Sequence, residues 1–252
     1  MCAITIRHHY LPQCYLRGFL DEEGYLHVYD KQEQRFFSTK GTNDVFQEKH
    51  RNSIQSPLTG ERHDVFEGLY SDFDSLMAPL LKKIIDSKST EPPPLDLEER
   101  WKMMLCLGFL YWRVPSRDAQ GKELVNRFGF RSDFFNIHDK KTGKPISDEE
   151  MRKIAGFDGM DTAYKMGLSF APFYSAESYK TAQHWKFLYQ DPGFHITGDN
   201  PILCRKDAQD FKEILDEFIF PVSSGMSYHQ QQTLPKPKPW ARFLLQVECG
   251  DH

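Results

Sequence analysis

The sequence lacks the motifs that identify several common classes of enzyme. It contains no G-x-S-x-G elbow, no glycine-rich phosphate loop and no H-E-x-x-H helix. The missing elbow leads us to reject a serine hydrolase, so Ser223 and Ser224 are not assigned as nucleophiles. The other two absences leave no support for a P-loop or for a zinc-protease site of that type.

Cysteine is scarce and scattered. The five cysteines of the 252-residue chain lie far apart, and no two of them form a C-x-x-C pair. An odd number of widely spaced thiols fits a reducing compartment better than a disulfide framework. We therefore predict a cytoplasmic protein with free thiols.

The chain has neither an excess of basic charge nor a long apolar run. Its 32 Lys and Arg residues against 36 Asp and Glu residues give a net charge of −4. That balance lacks the global basic excess of a nonspecific nucleic-acid binder, although it is compatible with a local basic patch. The most apolar run, Met103 to Trp112, is too short to cross a bilayer. We predict no membrane partner and, from the 14% aromatic content, an aromatic-rich core.

The spacing of apolar residues predicts an α+β fold, with central helices and β-strands contributed from both ends of the chain. We predict a single α+β domain over residues 1–252, because no repeat or linker interrupts the pattern. Residues 41–60 are polar and irregular, which predicts a loop. The predicted helices cover 61–88, 96–113, 120–135 and 160–174, with a further helix from Ser147; the predicted strands cover 25–29, 35–38, 184–189, 194–197, 202–204, 218–222 and 240–247.

The residues best suited to chemistry lie near the start of the chain, between Ile6 and Phe19. His8 and His9 are adjacent, and a short helix after them would place Gln13 and Arg17 on one face. Histidine can act as general base, general acid or metal ligand near neutral pH, and the planar arginine fork suits phosphate or carboxylate. The alternative is a capping segment, whose histidines and glutamine only satisfy buried backbone groups.

Three later elements carry further candidate residues. Glu67 and Asp74 are seven residues apart and project from nearly the same side of the first long helix. Arg113 ends the second long helix, where a cation is also favourable for purely structural reasons. Asp199 and Asn200 lie in a G-D-N-P turn, and these residue types form turns without any catalytic role.

The opening segment, H-H-Y-L-P-Q-C-Y-L-R-G-F, is followed by Y-L-H-V-Y-D-K. It resembles the start of a mostly bacterial family, domain-of-unknown-function family 4238, whose members open H-Y-x-P-Q-x-Y-L-R-x-F. The resemblance covers most of the chain. It implies that the matching elements belong to one site, and it implies no activity. The further matches are Glu67 and Asp74 (usually Glu in the family), Arg113 and Pro115, Thr197 with Asp199 to Pro201, and Pro221 to Ser223.

Two hypotheses for the function follow. In the first, the chain is a phosphodiesterase or nuclease-type hydrolase acting on a nucleotide or nucleic acid, assisted by a divalent metal, Mg or Mn. In the second, the same cluster binds a ligand or partner without turnover, as a regulatory module. We expect the opening segment to pack against the second long helix and the G-D-N-P turn. The predicted catalytic residues are His9, Gln13, Asp199 and Asn200; the substrate-binding residues are Arg17, Arg113 and His8; the metal ligands are Asp199, Glu67 and Asp74.

Overall fold

A computed structural model provides the structure of the chain. It describes residues 6–55, 59–88, 94–128, 138, 142–155, 159–170, 180, 182–189, 195–204, 218–224 and 226–230. The fold is α+β, with strands before residue 64 and after residue 185 and the longer helices between them. The helices described are α1 (Gln13–Leu16), α2 (Val65–Ser87), α3 (Leu97–Arg113), α4 (Asp118–Phe128), α5 (Asp148–Ala155) and α6 (Met160–Ser169).

The strands form small antiparallel sheets. Three two-stranded sheets pair β1 with β4, β2 with β3 and β5 with β6, and a four-stranded sheet has the order β7-β10-β9-β8. The strands described are β1 (Arg7–His9), β2 (Tyr25–Asp30), β3 (Arg35–Lys40), β4 (Gln47–Lys49), β5 (Ile54–Gln55), β6 (Arg62–His63), β7 (Lys186–Tyr189), β8 (Leu203–Cys204), β9 (Phe218–Ser223) and β10 (Met226–Gln230).

The long helices and the first hairpin confirm the sequence predictions. Helix α3 begins after Asp96, whose carboxylate accepts from the Glu99 backbone N–H at 2.9 Å, while the Glu99 carboxylate accepts from the Asp96 N–H at 3.0 Å. This reciprocal capping box satisfies two backbone donors at the helix start. In the described residues, no helix is both long enough and apolar enough to cross a membrane.

Two local predictions are wrong, and one lies outside the described residues. The predicted loop 41–60 contains β4 and β5, because partners distant in sequence supply their hydrogen bonds: β4 pairs with β1, and β5 with β6. Of the predicted strand 194–197, the described residues 195–197 form no strand, and the backbone N–H of His195 bonds instead to the Ser224 carbonyl at 2.8 Å. The predicted strand 240–247 lies outside the described residues.

The opening segment lies in the core. Leu11, Tyr15 and Leu16 are completely buried, and the Tyr15 ring stacks on Phe220 of β9 with 5.0 Å between ring centroids. Helix α1 packs on α2 and β9, and not mainly on α3 as the sequence analysis expected. Helix α3 packs on α2 and enters the same buried cluster through its own apolar side chains. The core is aromatic-rich, as predicted.

Candidate functional site

The pairing of β1 with β4 gives the two adjacent histidines different surroundings. His8 pairs with Glu48 and is completely buried. Its Nδ1 accepts the backbone N–H of Asn52 at 2.9 Å, so in the neutral ring the proton sits on Nε2, which lies 4.0 Å from Asp64. A fully buried ring that holds a backbone turn is placed to support the site and not to touch a substrate.

His9 is only half-buried, and its ring is bonded on one side. Its Nε2 lies 3.1 Å from the backbone oxygen of Asn43. A carbonyl oxygen can only accept, so Nε2 must carry the proton and the lone pair lies on Nδ1. Within the described residues, Nδ1 of His9 has no hydrogen-bond partner. The neutral ring therefore presents a free base nitrogen.

Asp74 and Arg113 form the central ion pair of the site. Arg113 Nη1 lies 2.8 Å and 3.0 Å from the two Asp74 carboxylate oxygens, and Arg113 is only 3% exposed. The guanidinium also lies over the ring of Tyr70, 4.4 Å from its centroid. Burial raises the pKa of Asp74 above its usual value, and this outweighs the lowering effect of Arg113. A buried arginine needs a partner, and Asp74 supplies it for Arg113.

Glu67 connects the first long helix to the loop behind His8. Its carboxylate accepts from the side-chain amide of Asn52 at 2.7 Å and lies 3.8 Å from His8 Nδ1. Glu67 also acts electrostatically on Asp74, whose pKa it raises, whereas the neighbouring His9 lowers that pKa. Both Glu67 and His9 therefore lie within electrostatic range of Asp74.

A second ion-pair network stands beside the first, and the sequence analysis missed it. The Arg51 guanidinium donates to both Asp118 oxygens at 2.7 and 3.0 Å, to Glu48 at 2.7 Å, and to the Arg113 carbonyl at 3.0 and 3.2 Å. Lys165 of α6 adds a bond to Asp118 at 2.7 Å. Arg51 lies in the polar stretch 41–60, where no apolar periodicity marks a buried position.

We expect Arg51→Met to lower the free energy of unfolding by about 2 kcal/mol. Breaking a buried ion pair costs about 3–5 kcal/mol. We expect a smaller loss here because the Asp118 side chain is 32% exposed. Chemical denaturation measures the effect. The control is Arg7→Ala, which removes an exposed pair with Asp44 and should cost at most about 1 kcal/mol. Equal losses in both variants would contradict a structural role for the Arg51 network.

The same network predicts a dependence of stability on pH. Burial tends to raise the pKa of Asp118, but the hydrogen bonds from Arg51 and Lys165 prevail and hold it below its usual value. A carboxyl whose folded pKa is lowered stabilises the fold above its unfolded pKa of about 3.9, and that contribution is lost as pH falls through the folded pKa. Asp118→Asn should therefore be less stable than wild type at pH 7, and the gap should narrow below about pH 4. Urea titrations across this range test it; a gap independent of pH would overturn it.

The remaining candidates lie around the rim of this region. Gln13 accepts a long bond of 3.5 Å from the Thr42 hydroxyl, and Arg17 is exposed, with no acidic partner among the described residues. Asp199 is exposed and close enough to Tyr10 to help burial raise the pKa of that phenol. Asn200 has a buried side-chain oxygen that finds no hydrogen-bond partner in the described part of the chain.

The segment that carries the G-D-N-P turn is anchored to the opening segment at two points. The Tyr15 hydroxyl and the Thr197 hydroxyl are 2.5 Å apart. The Gly18 carbonyl accepts from the Ser224 N–H at 3.2 Å, and the Ser224 carbonyl in turn accepts from the backbone N–H of His195. The opening segment therefore contacts the residues just before this turn, through Tyr15 and Thr197. A cavity shared by His9 and Asp199 stays a prediction.

The predicted metal ligands are partly engaged by other groups. Asp74 is paired with Arg113, and Glu67 is bonded to Asn52. Within the described residues, no group of three or more His, Cys, Asp or Glu side chains is arranged to hold an ion. The divalent-metal site at Asp199, Glu67 and Asp74 remains a prediction.

Comparison with known proteins yields one match. A family model described as "Protein of unknown function (DUF4238)" matches residues 7–227. The matched region contains every candidate residue named above. No curated protein and no solved structure matches the chain.

Proposed function

The chain belongs to the DUF4238 family, and we propose that it is a hydrolase that cleaves a phosphodiester in a nucleotide or nucleic acid, with His9 as general base. The observation that carries the proposal is that Nδ1 of His9 has no hydrogen-bond partner among the described residues, while Nε2 of the same ring is held by a backbone carbonyl. A base nitrogen fixed in one tautomer and left open to a substrate is what general base catalysis requires.

The proposed reaction assigns a role to each neighbour of His9. Nδ1 takes the proton of an attacking hydroxyl, whose oxygen bonds to phosphorus as the bond to the leaving oxygen breaks. The His9 imidazolium then returns that proton, directly or through solvent, to the leaving oxygen, so the ring ends neutral. Asp74 lies within electrostatic range of His9 and stabilises the imidazolium that forms, while Arg113 holds Asp74 in place. Arg17, exposed and without an acidic partner among the described residues, is the cation proposed to attract phosphate.

A non-catalytic binding module is the second candidate. One observation favours it: the Arg113 guanidinium is buried, and its charge is already balanced by Asp74. Arg113 is therefore poorly placed to bind a substrate phosphate. In this candidate Arg17 and the rim residues bind a phosphate-containing ligand, and no bond is broken. We also propose a cytoplasmic location, supported by Cys14, Cys106 and Cys204, which are free thiols.

The experiment is a turnover assay on the purified chain with RNA, single- and double-stranded DNA, and cyclic and linear nucleotides. Each substrate is tested with Mg, with Mn and with a chelator, so that any metal requirement appears as a separate result. Product formation that Arg17→Lys weakens supports the hydrolase, because lysine lacks the bidentate fork. Saturable binding that Arg17→Lys weakens, with no product on any substrate, overturns the hydrolase and supports the binding module.

A further inference from the structure

The outer face of the β2–β3 hairpin carries an unusual set of side chains. Strand residues alternate between faces, and Leu26, Val28 and Phe37 pack toward the core. The opposite face therefore presents three cross-strand pairs to solvent. These pairs are Tyr25 with Lys40, His27 with Ser38, and Tyr29 with Phe36.

The middle pair belongs to a chain of three hydrogen-bonded groups. His27 Nε2 lies 2.9 Å from Asp21 Oδ2, and His27 Nδ1 lies 2.7 Å from the Ser38 hydroxyl. An ionised carboxylate can only accept, so Nε2 carries the proton of the neutral ring. Nδ1 therefore accepts from the Ser38 O–H. This is the order nucleophile, base, orienting acid that defines a catalytic triad.

Asp21 is itself held rigidly. Its Oδ1 accepts the backbone N–H of Glu23 at 3.0 Å and of Tyr25 at 2.8 Å. The Asp21 N–H also donates to the Tyr25 carbonyl at 2.9 Å. The turn before β2 thus points the second oxygen, Oδ2, at His27 and fixes the imidazole against Ser38.

We propose that Ser38, His27 and Asp21 form an acyl-transfer site, separate from His9, that hydrolyses small esters with an apolar or aromatic acyl group. The missing G-x-S-x-G motif does not bear on this site, because triads are defined by geometry and occur on unrelated folds in different chain orders. Ser38 is the nucleophile, His27 the general base and Asp21 the positioning residue.

The steps balance without any further reactant. Ser38 Oγ bonds to the ester carbonyl carbon as its proton passes to His27 Nδ1. The alcohol then leaves with that proton, and the acyl group remains on Ser38. Water attacks the acyl-serine, again giving its proton to His27, and the carboxylic acid leaves as Ser38 recovers its hydrogen.

The neighbouring pairs indicate the substrate class. The Tyr29 and Phe36 rings are 47% and 83% exposed, with centroids 4.6 Å apart, and offer a flat apolar surface to an acyl group. On the other side of the triad, Lys40 lies two residues from Ser38 on the same face, where its charge favours the developing oxyanion. The His27 side chain is 64% exposed, so water competes for its bonds and the reaction should be slower than in a buried triad.

The same contacts also occur where a cross-strand pair only stabilises a hairpin. The two roles differ in the reactivity of Ser38. In a structural pair, Ser38 reacts like any exposed serine. In the proposed site, its reaction depends on the Asp21 carboxylate.

The test treats the full chain with an alkyl fluorophosphonate and follows the adducts on individual serines by peptide mass spectrometry. The internal control is Ser75, an exposed serine whose hydroxyl donates to the Ser71 carbonyl at 2.9 Å and not to a histidine. We expect Ser38 to react on the order of 10²-fold faster than Ser75, the lower end of general base effects. Release of nitrophenol from nitrophenyl esters should disappear in Ser38→Ala.

Asp21→Asn separates the proposal from a structural role. Asparagine keeps an oxygen for the two turn amides, but its NH₂ group cannot accept the His27 Nε2 proton. The variant should melt like wild type and lose most of the Ser38 labelling. Labelling of Ser38 no faster than Ser75, or labelling unchanged in Asp21→Asn, would overturn the proposal. Neither result depends on His9, so a phosphodiesterase at the first site can fail or succeed independently.

Discussion

Gly18→Ala is expected to lower the free energy of unfolding by about 3 kcal/mol, the upper end of the usual cost of overpacking. A Cβ at this position would lie 2.4 Å from the Val222 carbonyl oxygen and 3.3 Å from the Ser223 Cα. Both are backbone atoms of β9, so they cannot move aside as the end of a flexible side chain can. The opening segment must therefore shift away from the sheet that it packs on.

The measurement is urea unfolding of Gly18→Ala beside Gly68→Ala. Gly68 lies within α2, and a Cβ there would meet no atom within 4 Å. Alanine is favoured over glycine in a helix interior by about 0.8–1 kcal/mol, so this control should gain stability. A loss at Gly18 no larger than about 0.5 kcal/mol would show that the segment and β9 are not in this close contact.

The long helices were predictable because their signals are local. Asp96 and Glu99 form a capping box within four residues, and the apolar positions of α2 repeat every third or fourth residue. The pairing of Asp74 with Arg113 could also be anticipated, because a buried arginine needs an acid and the two long helices are neighbours. The helix predictions use only neighbouring residues, and the ion-pair inference uses only the rule that a buried charge needs a partner of opposite charge.

The rest depends on contacts that no local pattern encodes. Strand β4 has three polar residues without alternation, and it forms because β1 supplies its hydrogen bonds. Arg51 is held at the end of α3 and the start of α4, where it donates to the Arg113 carbonyl and to Asp118, and Lys165 of α6 donates to the same Asp118. His8 and His9 cannot be told apart in the sequence; in the pairing of β1 with β4, His8 is buried and His9 is half-buried.

The contact of Ser38 with His27 is partly predictable from the sequence: it depends on a local hairpin, but also on the shape of a turn. Once the hairpin is predicted and its turn is set at Lys31 to Gln34, antiparallel pairing places His27 opposite Ser38. This register places a serine beside a histidine without any nucleophile motif in the sequence. The contact of Asp21 with His27 could not be read in that way, because it depends on the shape of the turn before β2.

His9→Gln is expected to lower phosphodiester turnover by on the order of 10²–10⁴-fold, because it removes the proposed general base. The glutamine NH₂ can replace the Nε2–H that donates to the Asn43 carbonyl, so the contact that holds the ring has a substitute. Nothing in glutamine replaces the basic lone pair of Nδ1. The fold should therefore survive while the chemistry is lost, which thermal melting and the turnover assay measure on the same sample.

His9→Asn provides the complementary variant. Its shorter side chain places an amide near the position of Nδ1 but does not reach Asn43, so it loses both the base and the anchoring bond. Turnover should fall as far as in His9→Gln, and the melting temperature should fall as well. His8→Gln serves as the matched control at the neighbouring position. His8 is fully buried and bonded to Asn52, so its replacement should mainly lower the melting temperature. Turnover retained in His9→Gln would remove His9 from the chemistry. If melting falls equally in all three variants, both histidines are supports of the opening segment and the base must be sought elsewhere.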